Sequence, residues 1–294
     1  MKKLLMILLF FLLIGCSIFY PAEILEASKK GICIWFEQIL PSLLPFSILS
    51  AVLLKSHLMD TFSKNANVTS IFITMFCGFI FGFPIGAKLS SDFYKNGLLT
   101  YKQAQILCVT TNNFSSMYIC GYVLPLLFEN HAYLTSTYLL LYLFPLFLAI
   151  ILLFFKSDTK NIQKNTASRF QLDMQIIDAG IISSFETLIK ICGYIVLFSL
   201  LSTIFKILFD TSNVFLQFLL CNLEITNGIF TLSESSIALH QKYIYAIHLL
   251  SFGGLSGFAQ TASILKDTDL SIKKYLIGKL CISSIATLLA LLCI

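Results

Sequence analysis

The sequence predicts an all-α polytopic membrane protein, built as an inverted repeat with two re-entrant helical hairpins and two interrupted helices. The first observation behind this is composition: of 294 residues, 57% are hydrophobic and only 12% are charged. A soluble domain has about a quarter of its residues charged, so this chain lacks the polar surface of a water-soluble globule. The second observation is a series of long apolar segments, and the third is that matching segments of the two halves are interrupted by glycine, proline or polar residues.

The apolar segments are long enough for membrane helices, since about 20 apolar residues cross a bilayer. They cover approximately 4–19, 31–54, 69–87, 104–127, 133–155, 187–209, 214–232, 244–265 and 274–293. No segment alternates as barrel strands do, so each is expected to be helical. We therefore predict about nine membrane segments, two of them hairpins. The expected organisation is an N-terminal membrane helix over 1–26, a first repeat over 27–155, a cytoplasmic linker over 156–175 and a second, inverted repeat over 176–294.

The N-terminal segment has two interpretations. Met1-Lys2-Lys3 before an apolar stretch, with Leu13-Ile14-Gly15-Cys16 after it, fits a cleaved lipoprotein signal. The same features also fit a membrane anchor. Because more membrane segments follow, we expect the helix to stay uncleaved.

Two segments contain a polar tip between an apolar limb and a more polar limb. The interruptions are Gly82-Phe83-Pro84-Ile85-Gly86 and Glu224-Ile225-Thr226-Asn227-Gly228. Glycine and proline interrupt helices, and such breaks are tolerated at membrane depth only where protein or a watery cavity supplies hydrogen bonds. If the first segment is re-entrant, most lysine and arginine residues of the loops fall on one side, as the positive-inside rule requires.

The interruptions recur at similar spacing in the two halves. Cys77 and Cys221 precede the two tips and lie about 144 residues apart, and the polar stretches 110–116 and 251–257 are offset by about 141. In the topology that fits the charges, the helices preceding the two hairpins enter from opposite sides. Paired, interrupted segments in an inverted repeat are the best sequence pointer to a secondary transporter with a site at the midplane.

The candidate substrate-binding residues are the polar and helix-breaking residues of these four interruptions, since polar groups inside a membrane are costly. They are Gly82, Pro84, Gly86, Lys88, Thr111, Asn112, Asn113, Ser115, Glu224, Thr226, Asn227, Ser251, Gly253, Gly254, Ser256 and Gln260. Structural alternatives stay open: glycines that only allow close packing, a Lys88–Asp92 pair at the membrane rim, and cross-helix bonding by Asn112 and Asn113.

The same residues carry a family resemblance. The strings Leu40-Pro41-Ser42-Leu43-Leu44-Pro45-Phe46, Gly82 to Lys88, Asn112-Asn113, Glu224 to Gly228 and Ser251 to Ser256, with Gln260, resemble the YlbJ family of sporulation integral membrane proteins over roughly residues 27–290. That family belongs to the nucleoside-recognition (Gate) group, which is similar to concentrative nucleoside transporters. The resemblance implies a role in sporulation: movement of dipicolinate (pyridine-2,6-dicarboxylate) out of the mother cell across the outer forespore membrane.

A small planar dianion would suit a site with a lysine, helix N-termini and amides, with Phe83 and Phe114 stacking on its ring. Glu224 fits less well beside a dianion, and binding of a coupling proton or sodium ion by this residue is left open. Apart from that ion we expect no cofactor and no metal site, lipid and a small anion as partners, and no nucleic acid; a homo-oligomer is left open. Motifs of hydrolases and nucleotide-binding enzymes are absent from the sequence. The alternatives are a gate-type transporter of a nucleoside or ion, and a spore-envelope assembly factor without transport.

Overall fold

The computed structural model describes residues 2–56, 66–128, 133–156, 171–209 and 214–293, and this part of the chain is almost entirely helical. The helices are α1 Lys2–Phe19, α2 Pro21–Ile34, α3 Leu40–Lys55, α4 Ala66–Phe81, α5 Ile85–Lys95, α6 Tyr101–Thr111, α7 Ser116–Tyr118, α8 Leu124–Leu127, α9 Leu134–Tyr138, α10 Phe144–Lys156, α11 Met174–Leu208, α12 Val214–Cys221, α13 Ile225–Glu234, α14 Leu239–Phe252, α15 Gly254–Leu265 and α16 Ile272–Cys293. Single π-helical turns over Trp35–Ile39, Ile119–Val123 and Leu139–Leu143 join α2 to α3, α7 to α8 and α9 to α10. The expected all-α class is confirmed.

Helices long and apolar enough to cross a membrane occur in both halves. Within the described residues they are Leu134–Phe155, Met174–Leu208 and Ile272–Leu292, and a fourth span results if the bent pair Phe10–Phe19 and Pro21–Ile39 counts as one. Many of their apolar side chains face outward, among them Phe147, Phe154 and Leu292, as lipid-facing residues do. The chain is therefore a multi-pass membrane protein. The count of about nine segments stays a prediction, because several of those segments are divided into short helices.

The first apolar segment, 4–19, forms helix α1. This helix ends at Phe19, because Tyr20 leaves helical geometry and Pro21 starts α2. Proline suits the first turn of a helix, where its missing N–H is not needed. The axis bends by 112° at this point. From Pro21 the helix then continues through the π turn to Lys55, so it starts well before the expected segment 31–54.

Two long helices, one from each half, form the frame of the molecule. The continuous run 21–55 packs along α11, a single helix of 35 residues that includes the amphipathic stretch expected before residue 187. Trp35 Nε1 donates a hydrogen bond of 3.0 Å across this contact to the carbonyl oxygen of Leu188. Most of the expected cytoplasmic linker, 157–170, lies outside the described residues.

The predicted interruptions coincide with helix ends. We name residues 82–84, between α4 and α5, the first tip, and residues 222–224, between α12 and α13, the second tip. Residues 112–115, between α6 and α7, are the first break, and Gly253, between α14 and α15, is the second break. The limbs also pack across the halves: α15 lies against α5, and α13 lies against α8. Both tips and both breaks thus come together in the interior.

Candidate functional site

The first tip packs tightly against the first break. Gly82 has a φ of +72°, which glycine adopts without a side-chain penalty. A Cβ atom at Gly82 would lie 2.4 Å from the backbone nitrogen of Ser115, and one at Gly86 would lie 2.5 Å from the carbonyl oxygen of Thr111. Gly78 likewise abuts Thr111. These glycines therefore act in close packing, and Pro84 sits directly before α5.

The two asparagines of the first break connect distant helices. Asn112 Nδ2 donates to Thr261 Oγ1 at 3.2 Å and to the Tyr275 hydroxyl at 3.0 Å, while its Oδ1 accepts from the Ala87 amide at 3.3 Å. Asn113 Nδ2 donates to the Thr110 carbonyl oxygen at 2.7 Å. Its Oδ1 accepts a 2.8 Å hydrogen bond from Lys279 Nζ. A buried amide needs such partners, and here they tie α5, α15 and α16 to the break.

Glu224 forms the last residue of the second tip and caps α13. One carboxylate oxygen accepts from the Thr226 amide at 3.1 Å and the Thr226 hydroxyl at 3.0 Å, and the other accepts from the Asn227 amide at 2.8 Å. The positive end of the helix favours a carboxylate at this position. Only 4% of Glu224 is exposed, so its oxygens bind helix amides instead of water.

The second break, Gly253, lies near the Glu224 cap, and both residues line the same cavity. Gly253 has a φ of +88°, and a Cβ atom there would meet nothing within 4 Å. The first free amides of α15 bind the second tip: Leu255 N donates to the Asn222 carbonyl oxygen at 2.8 Å and Ser256 N to that of Leu223 at 2.9 Å. Amides at a helix start lack partners in their own helix, so this contact also fixes the position of α15.

A cavity of about 40 Å³ lies where the two tips and two breaks meet. Glu224, Thr226, Ser256 and Gln260 line it from the second half, and Gly253 exposes its backbone there. The lining from the first half is Ile39, Leu43, Phe83, Phe114, Ser115 and Tyr118, and the apolar residues Ile191, Ile195 and Ile225 add to it from the second half.

Two features of the lining bear on what the cavity can hold. The rings of Phe83 and Phe114 lie 6.1 Å apart, and Phe114 stacks on Tyr118 at 5.0 Å. Gln260 Oε1 is buried with no hydrogen-bond partner. The lining therefore combines aromatic rings with polar side chains, and one acceptor among these, Gln260 Oε1, has no hydrogen-bond partner among the described residues.

Some predicted site residues lie away from this cavity. Lys88 is outside its lining and has Asp92, Glu186 and Lys190 as electrostatic neighbours. The Ser251 hydroxyl donates to carbonyl oxygens of its own helix. The geometry thus gives Lys88 no support as the lysine that binds substrate, and its role stays a prediction.

A second cavity, about 310 Å³, borders the other side of α13. Its lining includes Lys206, Cys221, Asn227 and Glu234. The Asn227 amide nitrogen is bonded to Glu224, so this helix start separates the two cavities. Polar residues and a volume within the range of ligand pockets make the second cavity suited to water and small solutes.

Sequence reasoning missed several residues of the site. Tyr118, Thr261 and Tyr275 read as ordinary core residues because their partners lie more than a hundred positions away in the chain. Lys279 was not selected from the sequence because the nearby Lys273 and Lys274 already indicated a basic helix start at the membrane surface. Its signal was its place seven residues into an apolar span, about 10 Å along the helix axis, where a charge is expected to be functional.

Comparison with known proteins finds similarity to an integral membrane protein over most of the chain. Over an alignment of 327 residues, covering 94% of this chain and 79% of the relative, the chain is 27% identical to the sporulation integral membrane protein YlbJ of Bacillus subtilis (strain 168). No protein-family model and no solved structure matches the chain.

Proposed function

The similarity to YlbJ over nearly the whole chain supports membership of that family of sporulation integral membrane proteins, and on this premise we propose that the chain is a membrane transporter acting in sporulation. Its cargo in this proposal is dipicolinate, moved out of the mother cell across the outer forespore membrane. The family resemblance supplies this substrate and location; the geometry supports a site for a small aromatic solute.

The observation that carries the proposal is the cavity at the meeting point of the four interruptions. Its aromatic wall, with Phe83, Phe114 and Tyr118, would stack on a ring. Its polar wall, with Ser256, Gln260 and the open backbone at Gly253, would bind substituents on the ring edge. An assembly factor has no need of four matched interruptions around one cavity.

Equivalent contacts in the two halves support an internal repeat. In the first half, position 82 packs on position 115; in the second half, position 223 accepts a hydrogen bond from position 256. Both pairs are related by the same offset of 141 residues. We propose that the repeats have opposite orientation and that both tips belong to re-entrant hairpins, as the distribution of lysine and arginine indicates.

The observed conformation is proposed to be an occluded state. A cavity of about 40 Å³ holds a few water molecules, and an aromatic dicarboxylate requires more space. Entry therefore requires that a tip separate from the opposite break. The start of α13 separates the two cavities, since Asn227 lines the 310 Å³ cavity and Glu224 lines the central one. In this mechanism Glu224 carries the coupling proton or sodium ion. Its carboxylate leaves the Thr226 and Asn227 amides when the central cavity opens.

Flux of radiolabelled dipicolinate into proteoliposomes tests the proposal. We expect the native chain to transport it with a proton or sodium gradient, and Glu224→Gln to reduce the flux more than about tenfold, since each 1.4 kcal/mol corresponds to a factor of ten. Glu23→Gln makes the same chemical change on an exposed side chain of α2 and should leave the flux unchanged.

The alternatives predict other outcomes of the same assay. Flux of uridine without dipicolinate would favour a gate-type transporter of another solute. Absence of flux for both solutes, under either gradient and with correctly folded protein, would contradict a transporter and favour an assembly role.

A further inference from the structure

Lys279 is a buried lysine that, like Lys88, lies outside the lining of the central cavity. It lies within the apolar helix α16, and only 2% of its surface is exposed. Among the residues that the structure describes, its single hydrogen bond goes to the neutral Oδ1 of Asn113, although an ammonium group has three donors. Within the described residues no carboxylate pairs with it. Burying a charge without an opposite charge costs several kcal/mol, which a helix needed only for packing would avoid with leucine.

The position of Asn113 links this cation to the cavity. Asn113 belongs to the first break, and the next two residues, Phe114 and Ser115, line the central cavity. Ser115 is bonded to the start of α7, its carbonyl oxygen accepting from the Ile119 amide at 3.1 Å and its hydroxyl from the Tyr118 amide at 3.2 Å. The Tyr142 hydroxyl donates to the Phe114 carbonyl oxygen at 2.6 Å. Opening of the site at the first tip would move this segment, because the tip packs on it, and would release the ammonium group from Asn113.

We propose that Lys279 is the anion-binding residue of the transporter, held on Asn113 in the occluded state and transferred to a carboxylate of the substrate when the site opens. This inference rests on the proposed function and specifies its substrate class: a solute with at least one carboxylate. It assigns opposite charges to separate elements, with Lys279 on α16 for the anion and Glu224 on the second tip for the coupling ion. The two charges need not compete for one place in the cavity.

Binding measurements with three variants test this assignment. Titration calorimetry of the detergent-solubilised full chain uses dipicolinate and its neutral analogue pyridine-2,6-dimethanol. Lys279→Gln should weaken dipicolinate binding at least tenfold and remove the preference for the dianion over the neutral analogue. Lys279→Arg keeps the charge and should retain part of that preference. Lys273→Gln, an exposed lysine at the start of the same helix, is the matched control and should bind as the native chain does.

Asn113→Asp guards against loss of folding. It preserves the shape of the side chain and places a carboxylate beside Lys279, which offsets the loss of the hydrogen bond to the Thr110 carbonyl oxygen. We expect thermal stability close to that of the native chain, and dipicolinate binding weakened at least tenfold through competition. A purely structural Lys279 predicts changed stability with unchanged affinity, and that result would overturn the inference. If the native chain transports and binds dipicolinate while all variants match it, the inference fails alone; if the native chain binds no carboxylate and shows no flux, the proposed function fails with it.

Discussion

The two walls of the central cavity are built from equivalent interruptions but differ in what they offer. In the first half, the tip carries glycine and proline, and the asparagine side chains of the break bond to neighbouring helices. In the second half, the tip carries Glu224 and the break is a bare glycine. The comparison teaches that the first half supplies the aromatic lining and the second half most of the polar side chains, while aliphatic residues of both halves complete the cavity. A repeated fold can thus divide scaffold and chemistry between its copies.

The strongest test of the packed wall is Gly86→Ala. Its Cβ atom would lie 2.5 Å from the Thr111 carbonyl oxygen and 2.8 Å from the Asn112 amide, and backbone atoms cannot rotate away. We expect a destabilisation of about 3 kcal/mol, the upper part of the range for overpacked cores. Unfolding of the purified protein by denaturant in detergent micelles would measure it.

Gly193→Ala is the matched control for that substitution. Gly193 lies inside α11 with nothing within 4 Å of a new Cβ atom. Alanine favours a helix interior over glycine by up to about 1 kcal/mol, so this variant should be neutral or more stable. Equal stability of the two variants would show that the start of α5 does not pack on the end of α6 and the first break as described.

A smaller effect is expected from the two helix caps, which compare the halves directly. Glu224→Ala leaves the buried Thr226 and Asn227 amides without an acceptor and should cost about 2 kcal/mol, since each unsatisfied buried group costs about 1–3 kcal/mol. Ser115→Ala removes one bond, from the Tyr118 amide at 3.2 Å, and should cost about 1 kcal/mol. Thermal unfolding followed by circular dichroism distinguishes them. Equal losses would contradict the greater importance of the second cap.

The sequence was informative where local chemistry decides the structure. Low charge and long apolar segments predicted the helical membrane class. Glycine and proline at 82–86, and glycine at 253, predicted where helices end, because these residues act on their own backbone. Glu224 was selected as a candidate because a carboxylate inside an apolar segment is costly and is a functional hypothesis by default.

The rest depends on contacts between distant residues. Nothing local shows that Asn112 bonds to Thr261 and Tyr275, or that Lys88 lies outside the lining of the central cavity. Lys279 was obscured because two neighbouring lysines already explained a basic helix start. The number of membrane segments also resists prediction, since interrupted helices are shorter than the bilayer is thick.

The most direct test of the central claim is an experimental structure of the native chain with dipicolinate bound. The account predicts ligand density between Phe83 and Phe114 on one side and Ser256 and Gln260 on the other, in a cavity enlarged from about 40 Å³. Density confined to the 310 Å³ cavity beside Lys206, or no density at saturating ligand, would contradict a binding site at the meeting point of the four interruptions.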